Sequence, residues 1–149
     1  MNKELAKLLR KKGTFECTRK SEDLENEIFE LSSINLRSLG LDEKNIEAVT
    51  NVIEKDWDSV NIKSISFSYN QQIGDVGASL LARKLPHSIA EIGLVKCGIG
   101  DKGGREILNW MRKTPMLQMI CIEQNNFSDN LKMEFGIFEN DNPKTIVVY

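Results

Sequence analysis

Ile73-Gly74-Asp75-Val76-Gly77 and Ile99-Gly100-Asp101-Lys102-Gly103 are two copies of one phrase. Phe127-Ser128-Asp129 repeats its opening. Upstream of each copy lies an apolar alternation of period two: Ile65 with Phe67, Ile92 with Leu94, and Ile120 with Ile122. The alternation continues outward, in Ile34 with Leu36 and in Ile146 with Val148. The first members of these pairs recur at a nearly constant interval, the longest being Ile34 to Ile65. Leu31, Ile62, Ile89 and Leu117 each precede a pair by three positions. A steady recurrence of this length points to one structural unit repeated along the chain.

Downstream of each pair the period lengthens to about four. Ile73 is followed by Gly77, Leu81 and Leu85, Ile99 by Gly103, Ile107 and Met111, and Leu41 by Asn45, Val49, Ile53 and Trp57. That spacing places one stripe on one face of a helix. Asp75, Asp101 and Asp129 stand where N-caps are expected, since a carboxylate there accepts from free N–H groups of the first turn. The unit reads as strand, turn, capped helix and return loop, recurring at about 28 residues, and successive βα units make parallel strands. The longer first interval accommodates one more helical turn, for which Trp57 supplies the apolar residue. Trp110, one position before Met111 in the stripe, is expected to be partly exposed.

On these residues the segment from Leu31 to Phe138 resembles leucine-rich repeats of the ribonuclease-inhibitor type. In their pattern an Asn or Cys follows the strand, and Asn70, Cys97 and Asn125 occupy that position. The resemblance implies that these side chains bond backbone in the turn. The outer copies depart from the pattern, with Leu39 for Asn, Asn45 for the first glycine and Leu131 for the last, and the second copy carries one extra residue between Asn70 and Ile73. Terminal copies of a stack are often atypical. The implied fold is α/β, a short right-handed βα solenoid of about four repeats plus a closing strand. One domain spans 1–149: an N-terminal cap at 1–30, repeats at 31–138 and the closing strand at 139–149. In the cap, Leu5, Leu8 and Leu9 form an apolar face on a helix from Asn2 to Lys12 that Gly13 ends. Ser21 is expected to cap a second short helix containing Leu24 and Ile28.

Composition narrows the function classes. With 40% hydrophobic residues, 28% charged residues and a net charge of −2, the chain lacks the basic footprint of a nucleic-acid binder. No apolar run approaches the ~18 residues of a membrane span, and the first residues lack the apolar core of a secretory signal. Cys17, Cys97 and Cys121 are odd in number and without C-x-x-C spacing, so they read as reduced thiols of a cytoplasmic protein, not as a disulfide framework or metal site. His87 is the single histidine and reads as a solvated loop residue. The glycine-rich run from Gly98 to Gly104 matches no phosphate-loop spacing, and its twin at Ile73 to Gly77 explains it as part of the repeat. The acidic run Glu22, Asp23, Glu25, Glu27 and Glu30 reads as solvated surface, and the basic stretch Lys3, Lys7, Arg10, Lys11 and Lys12 as the solvated side of a cap helix. No catalytic set, cofactor motif or metal cluster is present in the sequence.

Strand alternation maps the candidate binding face. If Ile65 and Phe67 point inward, Ser64, Ser66 and Ser68 face the concave side. The same rule exposes Ser33, Asn35 and Arg37, then Glu91, Gly93 and Val95, then Met119, Cys121 and Glu123, and finally Thr145, Val147 and Tyr149. The resemblance implies a non-catalytic module that binds a protein partner through this face. The candidate contacts are Arg37, Ser66, Ser68, Glu91, Val95, Met119, Cys121, Glu123, Val147 and Tyr149. Among them Val95, Met119, Cys121, Val147 and Tyr149 make an apolar patch rimmed by Glu91 and Glu123, unless residues 136–142 fold back over it. The alternatives are a regulator of an enzyme, of the inhibitor or GTPase-activating type, and a small α/β enzyme with helices on both faces of an open sheet.

Overall fold

The computed structural model describes residues 1–26, 32–56 and 62–149. The expectations for Ile28, Leu31 and Trp57 lie outside these residues. Helices α1 (Asn2–Lys12) and α2 (Phe15–Asn26) precede an alternation of strands and helices: β1 (Ser33–Asn35), α3 (Glu43–Asp56), β2 (Ser64–Ser66), α4 (Gly74–Lys84), β3 (Glu91–Gly93), α5 (Asp101–Arg112), β4 (Met119–Cys121), α6 (Asp129–Asp141) and β5 (Ile146–Val148). The protein is α/β, with one five-stranded sheet in the order β1-β2-β3-β4-β5 and every neighbouring pair parallel. Consecutive helices touch, α3 with α4, α4 with α5 and α5 with α6, while α1 packs on both α2 and α3.

The strand centres align as Ile34, Ile65, Ile92, Ile120 and Val147, and all five are buried. They meet Val49 and Ile53 of α3, Leu81 of α4, Ile107 and Met111 of α5 and Phe135 of α6 in one apolar core. The core also takes in Trp110, which is 2% exposed rather than partly exposed. Its indole N–H donates to the Leu85 carbonyl at 3.1 Å, so the large ring is buried with its one polar group satisfied. The α5 stripe is therefore wider than a period of four suggests.

The final strand corrects the sequence reading. Val147, not Ile146, is the counterpart of Ile120, so Ile146 and Val148 face outward and Val147 faces the core. A slip of one residue exchanges the faces of a strand, and three consecutive β-branched residues carry no polar contrast to reveal it. Thr145 fixes the register: its buried hydroxyl donates to the Leu117 carbonyl at 2.7 Å.

Two of the turns are held by an asparagine from the following copy. Asn70 Oδ1 accepts from the N–H groups of Leu39 and Leu41, both at 3.0 Å, and its amide donates to the carbonyls of Leu36 and Phe67. Asn125 does the same two copies further on, accepting from Cys97 and Ile99 and donating to Leu94 and Ile122. The turn between them contains the extra residue and closes with backbone, Gly74 N–H donating to the Cys97 carbonyl. At the corresponding position Cys97 therefore needs only a thiol, which points at the Phe67 carbonyl at 3.4 Å. Each turn also contains one left-handed residue other than glycine: Ser38, Tyr69, Lys96 and Gln124 have φ of 56°, 64°, 52° and 60°.

The aspartates cap, but not their own helices. Asp75 lies inside the first turn of α4, and its Oδ1 accepts from Gly100 and Gly103 at the start of α5, at 2.8 and 2.9 Å. Asp101 likewise accepts from the backbone and hydroxyl of Ser128, and Ser128 in turn caps α6 by accepting from Leu131. Asp129 is fully exposed. This crossing needs α4 and α5 to approach closely, and a Cβ on Gly103 would stand 2.9 Å from the Ala78 Cβ. Asn45, where the repeat pattern has glycine, forms a reciprocal cap with Asp42 at the start of α3.

In the N-terminal part, α1 has the expected bounds and ends in left-handed Gly13 at φ 77°. Leu5, Ala6 and Leu9 are its buried residues, and Leu8 is only partly buried. Ser21 is interior to α2, its hydroxyl turned back to the Thr18 carbonyl. Thr14 takes the capping role instead, its hydroxyl accepting from Cys17 N–H. Arg10 of the basic stretch makes a paired contact with Glu25 of α2 at 2.7 Å.

Candidate functional site: the open face of the sheet

Two rows of side chains cross the open face in register. The first is Ser33, Ser64, Glu91, Met119 and Ile146, and the second Asn35, Ser66, Gly93, Cys121 and Val148. The strand extensions carry a third row, Arg37, Ser68, Val95 and Glu123, joined by Ser38 N–H to Ser68 O, Tyr69 N–H to Val95 O and Lys96 N–H to Glu123 O.

The ten candidate contacts divide. Arg37 and Glu91 are exposed, and Ser66, Cys121 and Glu123 half-exposed. Met119, at 36%, remains on the face beside Cys121. Ser68 and Val95 do not present themselves as expected: they are 1% and 6% exposed. The Ser68 hydroxyl accepts from Val95 N–H at 3.1 Å and from the Ser66 hydroxyl at 3.3 Å, so this part of the row closes on itself where the strands enter their turns. Val147 and Tyr149 are corrected by the β5 register. Val147 is buried, and its N–H donates to Glu139 at 3.1 Å. Tyr149 is 43% exposed but lies on the helix side, its ring 6.0 Å from Phe135.

The same correction adds Ile146 and Val148 to the face, 53% and 39% exposed. Directly opposite Met119 and Cys121, they extend the apolar strip to the edge of the sheet. The one trace of this in the sequence is the interval: Ile120 to Val147 repeats the spacing of Ile65 to Ile92, whereas Ile120 to Ile146 falls one short of it. Residues 136–142 do not cover the strip. They belong largely to α6, whose Phe138 is part of the core.

Charge on the face is unevenly placed. Arg37 lies over the Tyr69 ring, 4.9 Å from its centroid, an attraction between cation and π-face. Glu123 Oε2 is closed off from solvent and has no hydrogen-bond partner. Cys121 has its thiol pKa raised, first by burial and then by the carboxylates of Glu123 and Glu91, with Arg37 opposing. Cys97, in the core, is pushed up to about 11 by burial. Cys121 is the one half-exposed cysteine, with Cys17 and Cys97 both buried. Iodoacetamide at pH 8 is therefore expected to label Cys121 alone in the folded protein, more slowly than a free thiol. Glu123→Gln removes a charge that disfavours the thiolate, lowers that pKa and speeds labelling. Mass spectrometry of the digested adduct reads both results, and labelling of Cys97 as fast as Cys121 would contradict the burial described.

Among the described residues no cluster of His, Cys, Asp and Glu has the makings of a metal site, and no helix is long and apolar enough to cross a membrane. His87 is exposed yet engaged, its Nδ1 3.0 Å from the Thr114 hydroxyl. A groove of about 620 Å³ on the face runs past the strand starts along Ser33, Lys63, Ser64, Glu91 and Gln118. No family model matches the chain, and no curated protein matches it in sequence.

Proposed function

We propose that this protein is a short leucine-rich-repeat solenoid of the ribonuclease-inhibitor type that binds a protein partner on the open face of its sheet. The observation that carries the reading is the apolar strip formed by Met119, Cys121, Ile146 and Val148. Contiguous apolar side chains on an exposed sheet face, bordered by charge, are a mark of interaction surfaces. The architecture supports it as well. Strand order follows chain order without reversal, so the sheet has none of the switch-point crevices in which open α/β enzymes hold small ligands. The regular turns, locked by Asn70 and Asn125, make the face a rigid platform, which lowers the entropic cost of binding.

The test is the triple variant Met119→Gln, Ile146→Thr, Val148→Thr, which roughly keeps side-chain size and strand propensity while removing the apolar character. A partner captured by wild-type protein from lysate and identified by mass spectrometry is expected to bind the variant at least about tenfold more weakly, the scale of ~1.4 kcal/mol. The variant's thermal unfolding should stay close to that of the wild type, since its changes are at exposed positions. Undiminished affinity in a well-folded variant would remove the strip from the interface.

A further inference from the structure

We propose that the segment docking on the open face is basic as well as apolar, with a lysine or arginine seated between Glu91 and Glu123 while its apolar residues cover Met119, Ile146 and Val148. This rests on the reading of the open face as the binding surface and adds the chemistry of what binds there. Glu91 and Glu123 lie on adjoining strands, in the first and third rows, with Gly93 and Cys121 in the row between them. Neither carboxylate has an ion-pair partner among the described residues. Lys63 lines the groove beside Glu91 without closing a pair, and Arg37 stands on β1's extension, three strands from Glu123, with its guanidinium over Tyr69.

The row between the two carboxylates carries no charged side chain. Gly93 has no side chain, and the Ser66 and Ser68 hydroxyls lean over it, so that a Cβ there would stand 2.8 and 2.9 Å from their oxygens. Glu123 adds an oxygen that water does not reach and that nothing satisfies. A carboxylate shares its charge between both oxygens, so a cation at the accessible one relieves a group that is otherwise desolvated without compensation. At Cys121, between Glu91 and Glu123, burial is the first cause of the raised thiol, and both carboxylates add to it against Arg37. A cationic side chain is therefore favoured here and an acidic one repelled, while the strip beside it takes apolar contacts.

A random peptide library displayed on phage, selected on immobilised full-length chain, tests this. Clones that bind the wild type but not the Met119→Gln, Ile146→Thr, Val148→Thr variant are the face-dependent set. They are expected to be rich in apolar residues together with Lys or Arg and poor in Asp and Glu. Synthetic copies should bind the Glu91→Gln, Glu123→Gln double variant about tenfold more weakly and lose the same advantage as salt rises. A face-dependent set without basic bias, or one indifferent to the double variant, overturns this inference and leaves the binding face in place. An absence of face-dependent clones overturns both.

Discussion

Replacing Asn70 by alanine is expected to cost about 3–5 kcal/mol of unfolding free energy, among the largest losses available from a single polar side chain. Asn70 is fully buried, and its amide makes four hydrogen bonds to backbone, two accepted and two donated. Alanine leaves two N–H groups and the Leu36 carbonyl short of a partner in a place water cannot easily reach, while the Phe67 carbonyl keeps only the Cys97 thiol, and each unsatisfied group costs about 1–3 kcal/mol, with losses in one network less than additive. Against the total of roughly 5–15 kcal/mol typical of a domain, the variant would be near the limit of folding. Asn125 makes the same four bonds but is only partly buried, so water can replace part of what is lost and Asn125→Ala should cost clearly less. Urea denaturation followed by circular dichroism measures both. Equal costs would mean that burial does not govern the effect.

Gly98→Ala is expected to be comparably damaging, by more than about 3 kcal/mol, for two reasons that separate cleanly. Gly98 has φ +68°, and a Cβ there would stand 2.3 Å from the Gln71 carbonyl oxygen. The left-handed backbone alone costs an alanine roughly 1–2 kcal/mol. The remainder is the collision, and because the obstacle is backbone it cannot rotate away as a side chain would. Gly13 is the control: its φ is +77°, yet nothing lies within 4 Å of its hypothetical Cβ. Gly13→Ala should therefore lose only the backbone part. If the two alanine variants melt alike, the close approach of the neighbouring copy at Gln71 is not what constrains Gly98.

These two residues also mark how much was legible beforehand. The period, the parallel strands and the alternation of strand and helix were all readable, because apolar spacing is dictated by the geometry of the element that buries it. The role of Asn70 was implied by family resemblance alone. The left-handed residues Ser38, Tyr69, Lys96 and Gln124 were invisible, since none is a glycine and the strain is imposed by turns whose ends are fixed elsewhere. The aspartates were read as local caps because capping is usually local; the close packing at Gly103 brings the next helix start within reach of Asp75. On the face, the alternation rule succeeded for Met119 and Cys121, which share the parity of Glu123, and for the two glutamates, where polar and apolar residues differ. It failed on Ile146-Val147-Val148, where they do not. It also says nothing of depth, which is why Ser68 and Val95, correctly placed by parity, proved to be buried at the rim.

The crossing side chains have an evolutionary corollary. Asn70 reaches back to the copy before it and Asp75 forward to the copy after it, so the two residues belong functionally to their neighbours' backbones. A duplicated or excised unit would arrive with the wrong handshake at one seam at least. Adding or removing whole modules within this stack therefore demands paired changes on either side of the join.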